Sequence, residues 1–370
     1  MSYAFVLTGG GTGGHVFPAL AVAEVLRERG HRLLFVGTRQ GMEAKLVPQH
    51  GYDMEFVRSG AVNRVGLKQK FQTVAGMPLS VLGARSVLKR FGAQAVFSMG
   101  GYVAGPVMAA AILSGVPLII MEPNAIPGVA NRLVARRVYR ALLGFESTRA
   151  WFPTAKSEIT GLPVRPAFFD VRPKQNGTFT VLITGGSRGA RSLNRAARES
   201  WPLLRASGTD IRIVHQTGPA EYEALASEFR GAGIDGDVVP FISNMAEAFS
   251  GADLVIGRAG AGSVNEIAAA GMASVLVPFP FAADDHQKKN AEMLVNAGAA
   301  RMILDRDLTG ERLFREVEEL RRNPDQLTAL RDRVRQFAKQ GAAQRAAEVL
   351  EHAASGKKST PPTKNRDFPH

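Results

Sequence analysis

Short runs of β-branched and aromatic residues recur along the chain, and between them apolar residues return every three or four positions, the spacing of a half-buried helix. In the first half the runs are Tyr3–Leu7, Arg32–Val36, Met54–Val57, Ala95–Met99, Pro117–Met121 and Val138–Leu143. In the second they are Phe179–Thr184, Ile211–Gln216, Val238–Phe241, Leu254–Ile256, Ser274–Val277 and Ala300–Leu304. Strands that alternate with helices in this way predict βαβ units and parallel sheets, so each half reads as one doubly wound α/β domain. The stretch Thr160-Gly161-Leu162-Pro163-Val164-Arg165-Pro166, followed by Val171 to Gly177, holds too many prolines and glycines to continue a helix or a central strand. We therefore expect domains over 1–162 and 178–354 with a linker over 163–177, with the option that the last helix packs back on the first domain. The segment 355–370 is rich in Lys, Pro, Ser and Thr and reads as a disordered tail. Two such domains would face each other across a cleft, the usual place for a ligand.

Glycines follow the strands where chemistry is expected. Four turns stand out: Gly9–Gly14, Gly100-Gly101-Tyr102, Gly185-Gly186-Ser187-Arg188-Gly189 and Ala259-Gly260-Ala261-Gly262-Ser263. A helix that begins after such a turn points its first unpaired N–H groups at one spot, where the macrodipole adds partial positive charge, and that spot suits a phosphate. The competing reading is that the glycines only permit tight strand-to-helix packing. Gly9-x-Gly11-x-x-Gly14 also spells the dinucleotide fingerprint. The acidic residue that should follow the second strand is missing, because Gly37-Thr38-Arg39 stand there. An NADP-dependent oxidoreductase with Arg39 on the 2′-phosphate stays open as an alternative. The third turn matches the G-x-S-x-G nucleophile elbow with Ser187 as nucleophile. A hydrolase would then need an acid and a histidine downstream, and Asp284 or Asp285 beside His286 makes a poor pair.

Among side chains, His15 is the titratable group of the first turn. A neutral imidazole at a helix start can act as a general base, or it can simply cap the helix or touch an anion. Glu266 falls in the first turn of the helix after the fourth glycine turn, where it could accept both hydroxyls of a ribose or only favour the helix dipole. Gln287 and Asn290 are three apart and share a helix face, so both amides could reach one sugar, or both could be ordinary surface.

Composition narrows the choices. The 370 residues are 45% hydrophobic and include no cysteine, which excludes disulfides, thiolate catalysis and cysteine-ligated zinc and fits a reducing compartment. No histidine ligand cluster is present, and neither a metal nor a cofactor is expected. The start of the chain has no signal-peptide pattern, and the longest apolar runs, Val103 to Leu113 and Val116 to Met121, fall short of the ~20 residues of a membrane span. The net charge of +13 is uneven: residues 1–165 hold 19 Lys and Arg against 8 Asp and Glu, the remainder 27 against 25. Between Glu55 and Glu122 no carboxylate occurs, while Arg58, Arg64, Lys68, Lys70, Arg85, Lys89 and Arg90 do. Those cations alternate with Leu67, Phe71, Val74, Met77, Leu79 and Leu82, which suits attachment to an anionic membrane face, the alternative being a core helix with a solvated basic side. A nucleic-acid partner is not expected, because no nucleic-acid motif is present and the second half is nearly neutral.

Taken together, "TGGGTGGHVFPALAVA", "GTRQGMEAKLVPQHG", "SMGGYVAGP", "EPNAIPGVANR", "TGLPVR", "TGGSRGARSLN" and "GRAGAGSVNEIAAAGMASVLVPFPFAADDHQKKNA" resemble one family closely, from about Phe5 to about Leu350. It is the family of bacterial N-acetylglucosaminyltransferases that convert lipid I to lipid II in peptidoglycan synthesis, and through it serve cell shape and division. The resemblance implies the glycosyltransferase-B fold of two Rossmann-like domains, inversion at the anomeric carbon without a metal, and a peripheral place on the cytoplasmic face of the bacterial inner membrane. It implies UDP-N-acetylglucosamine as donor, on the C-terminal domain, and undecaprenyl-diphosphate-linked N-acetylmuramoyl pentapeptide as acceptor. Thr12, Gly13, Gly14, Asn124, Arg165 and Ser187 would touch the nucleotide sugar, and the backbone of Ile242 would meet the uracil. Ala261, Gly262, Ser263, Val264, Asn265 and Glu266 would hold the α-phosphate and ribose, and Gln287 with Asn290 the sugar hydroxyls. His15 would be the base, and Gly100, Gly101 and Tyr102 would receive the acceptor's diphosphate. Arg64, Lys68, Lys70, Phe71, Leu79, Arg85 and Lys89 would meet the membrane. The chain departs from the family at Pro123, where Gln is expected, and at Lys288-Lys289, which add charge beside the amides. A UDP-sugar epimerase or another lipid glycosyltransferase of the same fold is a further alternative.

Overall fold

The computed structural model describes residues 1–11, 13–57, 67–174 and 177–356, and of 67–75 the backbone alone. Thr12, Arg64 and the tail from 357 lie outside the described residues, as do the side chains of Lys68, Lys70 and Phe71. The chain divides into two units, Met1–Val164 joined by the segment from Lys339, and Arg165–Ala338.

In the first unit the strands are β1 (Ala4–Thr8), β2 (Arg32–Gly37), β3 (Met54–Phe56), β4 (Ala95–Ser98), β5 (Leu118–Glu122), β6 (Arg140–Leu143) and β7 (Ser157–Ile159). They pair in parallel in the order β3-β2-β1-β4-β5-β6-β7. The second unit holds β8 (Phe179–Thr184), β9 (Ile211–Gln216), β10 (Asp235–Val239), β11 (Leu254–Gly257), β12 (Ser274–Leu276) and β13 (Arg301–Met302), parallel in the order β10-β9-β8-β11-β12-β13. Every residue of β1, β4, β5 and β6 is buried, as expected of parallel strands covered on both faces. Val6, Val96, Ile120 and Leu143 pack with Leu88 and Met108 in one core; Val181, Ile183, Ile256 and Val275 pack with Leu193, Trp201 and Leu320 in the other. In each sheet the strand order reverses once, between β1 and β4 and between β8 and β11. Connections leave such a pair in opposite directions, which opens a crevice at the C-terminal strand ends. All four glycine turns follow these four strands.

The differences from expectation lie at edges and boundaries. β10 starts at Asp235, upstream of the expected Val238–Phe241, because this edge strand is held by polar contacts: Arg212 on β9 binds Asp235 at 2.7 Å and Asp237 at 2.6 Å. The segment read as a linker is packed rather than tethering. Its prolines bend it, and Phe168 is fully buried with its ring 5.5 Å from that of Phe249 in the second unit. At the C-terminus the option that the last helix packs back on the first domain is the one the structure takes. The second unit ends at Ala338, and the helix Ala342–Ala354 packs on the helix Gly13–Glu28 of the first.

Polar contacts make that seam specific. Tyr3 N–H donates to His31 Nδ1 at 3.1 Å, so His31 Nε2 carries the proton donated to Glu351 at 2.8 Å, and Arg29 reaches the same carboxylate at 2.8 Å. Arg345 grips Glu158 on β7 with two hydrogen bonds, 2.6 and 3.0 Å. Glu158→Ala removes the two-pronged partner of Arg345 and leaves its guanidinium only the Glu348 carboxylate on its own helix. It is expected to lower the unfolding free energy by about 1–2 kcal/mol in urea titrations; wild-type stability in that variant would mean the pair does not hold the helix.

Candidate active site

In the second unit, β8 runs through Gly185–Gly189 into the helix Arg191–Ala206. At Gly189, with φ +74°, a Cβ would collide with the Thr217 carbonyl, so the turn closes only on glycine. Gln216, buried at the end of β9, donates to Gly186 O at 2.8 Å and accepts from Ile242 N–H at 2.8 Å. One side chain thus ties the turn to the segment after β10, and of the Ile242 backbone it leaves the carbonyl as the group to face a base. Ser187 is exposed within the turn, ahead of the helix start at Arg191, so it does not occupy the one-residue elbow of a serine hydrolase.

β11 leads through Arg258 to the helix Ala261–Ala270, whose N-cap is Gly260. The first amide to find a helical partner is that of Val264, which donates to Gly260 O at 3.0 Å. Glycine has no side chain to satisfy the amides of Ala261, Gly262 and Ser263. Nothing lies within 4 Å of the place where a Cβ on Gly260 or Gly262 would stand, so there is room beside this helix start. Glu266 comes one turn later, 3.9 Å from Arg165. Burial pushes its carboxyl up to about 7, with Arg165 working against the rise.

Beneath this helix start, Arg258 donates to the carbonyls of Val277 and Pro278 at 3.1 and 3.3 Å, to Ser192 Oγ at 2.8 Å and to Asp305, while Ser192 Oγ–H donates to Asp305 at 2.6 Å. The brace aligns the segment that follows β12. There Phe279 N–H donates to Gln287 Oε1 at 3.0 Å, which turns the other half of the Gln287 amide away from the backbone. Asp284 and Asp285, at φ +51° and +52°, are two successive left-handed residues outside glycine, a strain on the order of 1–3 kcal/mol each that clusters at functional turns.

Two residues that the resemblance assigns to the ligand have other work. Asn265 is buried and donates to Ala261 O at 2.8 Å, fixing the first helical turn from within. Asn290 is fully buried and donates to Ala259 O at 3.2 Å, because the helix His286–Asn296 turns Asn290, Ala291 and Leu294 to the interior. Gln287, three positions earlier, stays half-exposed. Val264 is likewise buried, so Gly262, Ser263 and Glu266 are the accessible part of 261–266.

In the first unit the turns after β1 and β4 meet. A Cβ on Gly101 would lie 3.8 Å from His15 Cε1 and 3.5 Å from Gly10 O, and one on Gly11 would lie 3.0 Å from the Tyr102 ring. His15 stands in the first turn of the helix Gly13–Glu28, half-buried, with Gly13 half-buried and Gly14 exposed beside it. Burial, and then the negative charge of Glu43, raise the Tyr102 hydroxyl above its ordinary value, so it keeps its proton and can donate. Gly100 N–H is already given to Ser98 Oγ at 3.0 Å.

Two buried carboxylates organise this end, and neither is legible as functional in the sequence. Glu43 accepts from Gly11 N–H at 2.9 Å, so the first glycine turn does not offer that amide to a phosphate. Glu122, at the end of β5, accepts from Asn124 N–H, Asn124 Nδ2, Gly128 N–H and Asn131 Nδ2 at 3.0, 3.2, 3.0 and 2.8 Å. Burial raises its carboxyl, and these hydrogen bonds hold the rise back. Asn124 therefore turns part of its amide inward. Arg39, the candidate for a 2′-phosphate, lies over the Phe56 ring at 4.9 Å. With Gly11 engaged and Arg39 stacked, the dinucleotide reading loses both of its contacts. Asp235-Gly236-Asp237 and Asp305-Arg306-Asp307 have a spacing that can chelate a cation, but Arg212 binds both carboxylates of the first and Arg258 binds Asp305 of the second, and among the described residues no cluster of three or more His, Asp or Glu could hold a metal.

The fold and the uncapped helix beside Glu266 define a nucleotide-sugar transferase class, and the comparisons agree. The N-terminal domain of glycosyltransferase family 28 matches residues 5–143 and its C-terminal domain residues 180–346. A UDP-N-acetylglucosamine–N-acetylmuramyl-(pentapeptide) pyrophosphoryl-undecaprenol N-acetylglucosamine transferase of Solibacter usitatus is 53% identical over 95% of this chain and 96% of its own length. The transferase of that name from Halorhodospira halophila is 43% identical over 95% and 98%. A crystal structure of Acinetobacter baumannii MurG superposes with a TM-score of 0.78 at 33% identity, over 95% of this chain and 99% of that one. The chain belongs to glycosyltransferase family 28 and, within it, to the family of these N-acetylglucosamine transferases.

The raised Glu266 has a measurable consequence. An unfolded glutamate ionises near 4.5 and the folded one near 7, so its contribution to stability is full below 4.5 and is lost as pH rises toward 7. Glu266→Gln is expected to exceed wild type in unfolding free energy at pH 8, by about 1–2 kcal/mol after allowance for partial exposure, and to match it at acid pH. A variant no more stable than wild type at pH 8 would contradict this assignment.

Proposed function

We propose that this chain transfers N-acetylglucosamine from UDP-N-acetylglucosamine to the 4-hydroxyl of N-acetylmuramic acid in undecaprenyl-diphosphate-linked acceptor, converting lipid I to lipid II. The observation that carries the donor side is the uncapped start of the helix Ala261–Ala270 with Glu266 one turn on. The amides of Gly262 and Ser263 take the α-phosphate, and the Glu266 carboxylate accepts the two ribose hydroxyls. The carbonyl of Ile242 takes uracil N3–H, and the Nε2 of Gln287 reaches the sugar. Arg165, close to Glu266, and Ser187, exposed on its turn, border the diphosphate.

Transfer is a single displacement. The acceptor oxygen attacks the anomeric carbon from the face opposite UDP, the bond to the phosphate oxygen breaks, and His15 receives the hydroxyl proton. Charge grows on the leaving diphosphate, where preorganised amides stabilise it without needing to rearrange. On the acceptor side, Tyr102 donates its hydroxyl to the lipid-linked diphosphate beside Gly101.

The acceptor is a lipid, and the first unit has a surface suited to one. Leu79 and Leu82 on the helix Leu67–Phe91 are 73% and 59% exposed, and Leu113, at the end of the adjacent helix Gly105–Leu113, is 64% exposed. Arg85 and Lys89 lie on the same helix as the two leucines. Leu133, 78% exposed, and Trp151, with Arg132 over its ring at 5.3 Å, continue the mix of apolar and basic groups. No helix among the described residues is long and apolar enough to cross a membrane. Peripheral binding to the anionic cytoplasmic leaflet fits these groups.

Purified protein incubated with the donor in EDTA should release UDP only when a lipid I analogue is added. Release without acceptor, or none with it, would refute the proposal. His15→Ala should lower kcat by about 100-fold or more while leaving the donor KM within about twofold; an unchanged kcat would remove His15 as the base.

A further inference from the structure

At a glycine turn between strand and helix, the amide at the tip is the natural partner of a phosphate oxygen. In the first unit that partner is already present. Glu43, 1% exposed, accepts from Gly11 N–H through Oε2 at 2.9 Å, and through Oε1 from Thr38 N–H at 3.0 Å and Thr38 Oγ1–H at 2.8 Å. All three donors are neutral, so the charge of the carboxylate is not cancelled by them. The surrounding chain is cut to fit it: a Cβ on Gly10, Gly37 or Gly41 would collide with the Glu43 side chain. Thr38 follows β2 and Gly11 follows β1, so the carboxylate clamps the ends of two neighbouring strands.

What the clamp holds is the reactive end of the unit. The helix that carries His15 starts at Gly13, two residues past the clamped amide, and the Tyr102 ring lies against Gly11. The geometry points to Glu43 as a positioning residue of the transfer reaction: an internal carboxylate that fills the anion place of the first glycine turn, keeps a diphosphate off it, and sets His15 and Tyr102 for the acceptor. This inference rests on the transfer reading above. It gives the two halves opposite tasks, since the helix start at Gly260 is left open for a phosphate and the turn at Gly11 is filled from within.

The test uses the full chain. Glu43→Ala should lower kcat on the order of 10- to 100-fold, because placement of the reacting groups is lost, while the Kd for UDP alone should stay within about twofold, because the proposed nucleotide contacts at Ala261–Glu266 are untouched. The vacated space keeps three donors, so added formate should restore kcat and formamide, of similar size but neutral, should not. Hydrogen–deuterium exchange at Gly11 and Thr38 should be slow in wild type, fast in Glu43→Ala and slow again with formate. Wild-type kcat in the variant, or equal rescue by formamide, would overturn the inference. If Glu43→Ala does not fold, Glu43→Gln keeps the volume but sets an N–H against an N–H donor. It should lose turnover at a near-normal melting temperature, and full turnover would overturn the inference. A wild-type protein that transfers no sugar would sink the transfer reading instead, while the exchange measurement still decides whether the carboxylate holds the turn.

Discussion

The proposed donor site rests on the helix Ala261–Ala270, whose first turn has no capping side chain. In the same unit, three helices are closed by their own caps: Asn244 accepts from Glu247 N–H, Thr309 from Arg312 N–H and Asn323 from Gln326 N–H. The helix that begins at Ala261 has glycine at that position, and its donors stay open. Glycine in place of a capping serine or aspartate costs a helix about a few tenths of a kcal/mol, so a small amount of stability is forgone there. Glu266 repeats the pattern, since burial holds a carboxyl near 7 where a neutral amide would fit at less cost. Stability is given up at both positions, and both lie at the start of the same helix.

The two units have the same strand order around their reversal points and use it differently. In the second, side chains such as Arg258, Gln216 and Asn290 work behind the loops, holding carbonyls and turn residues so that amides face outward. In the first, Glu43 and Glu122 turn amides inward. One glycine turn of the first unit is thus filled by an internal carboxylate, whereas the helix start at Ala261 in the second has no capping side chain. The fold alone would not tell them apart; the identity of the group at each amide does.

The interior strands were legible in the sequence because both of their faces are buried, which leaves uninterrupted apolar runs such as Val181-Leu182-Ile183. Of the edge strands, β3 and β13 were legible as well, but β7 and β10 were not: they contain Ser157, Glu158, Asp235 and Asp237, and their pairing is set by partners distant in sequence. That the last helix packs back on the first domain could be read only as an option, since an amphipathic helix does not say which sheet it covers, and the deciding contacts of Arg345 and Glu351 lie on the first unit. At the site, the glycine turns and Glu266 could be read from local spacing. The inward turn of Asn290 could not, because its three-residue interval from Gln287 gives a shared helix face but not which face is buried. Glu43 and Gln216 act on backbone groups of other strands, and the one local trace of either is the pair of glycines, Gly37 and Gly41, that make room for the Glu43 carboxylate.

The most direct measurement is a calorimetric titration of UDP into wild type and Gly260→Asp. Gly260 has φ −63° and ψ 147°, which aspartate adopts freely, and a Cβ there meets open space, so the variant should fold and melt at or above the wild-type temperature. Its carboxylate would occupy the amides itself and repel the phosphates. The account predicts that UDP affinity falls by about tenfold or more. Full affinity for UDP in a stably folded Gly260→Asp would show that the nucleotide is not held at this helix start.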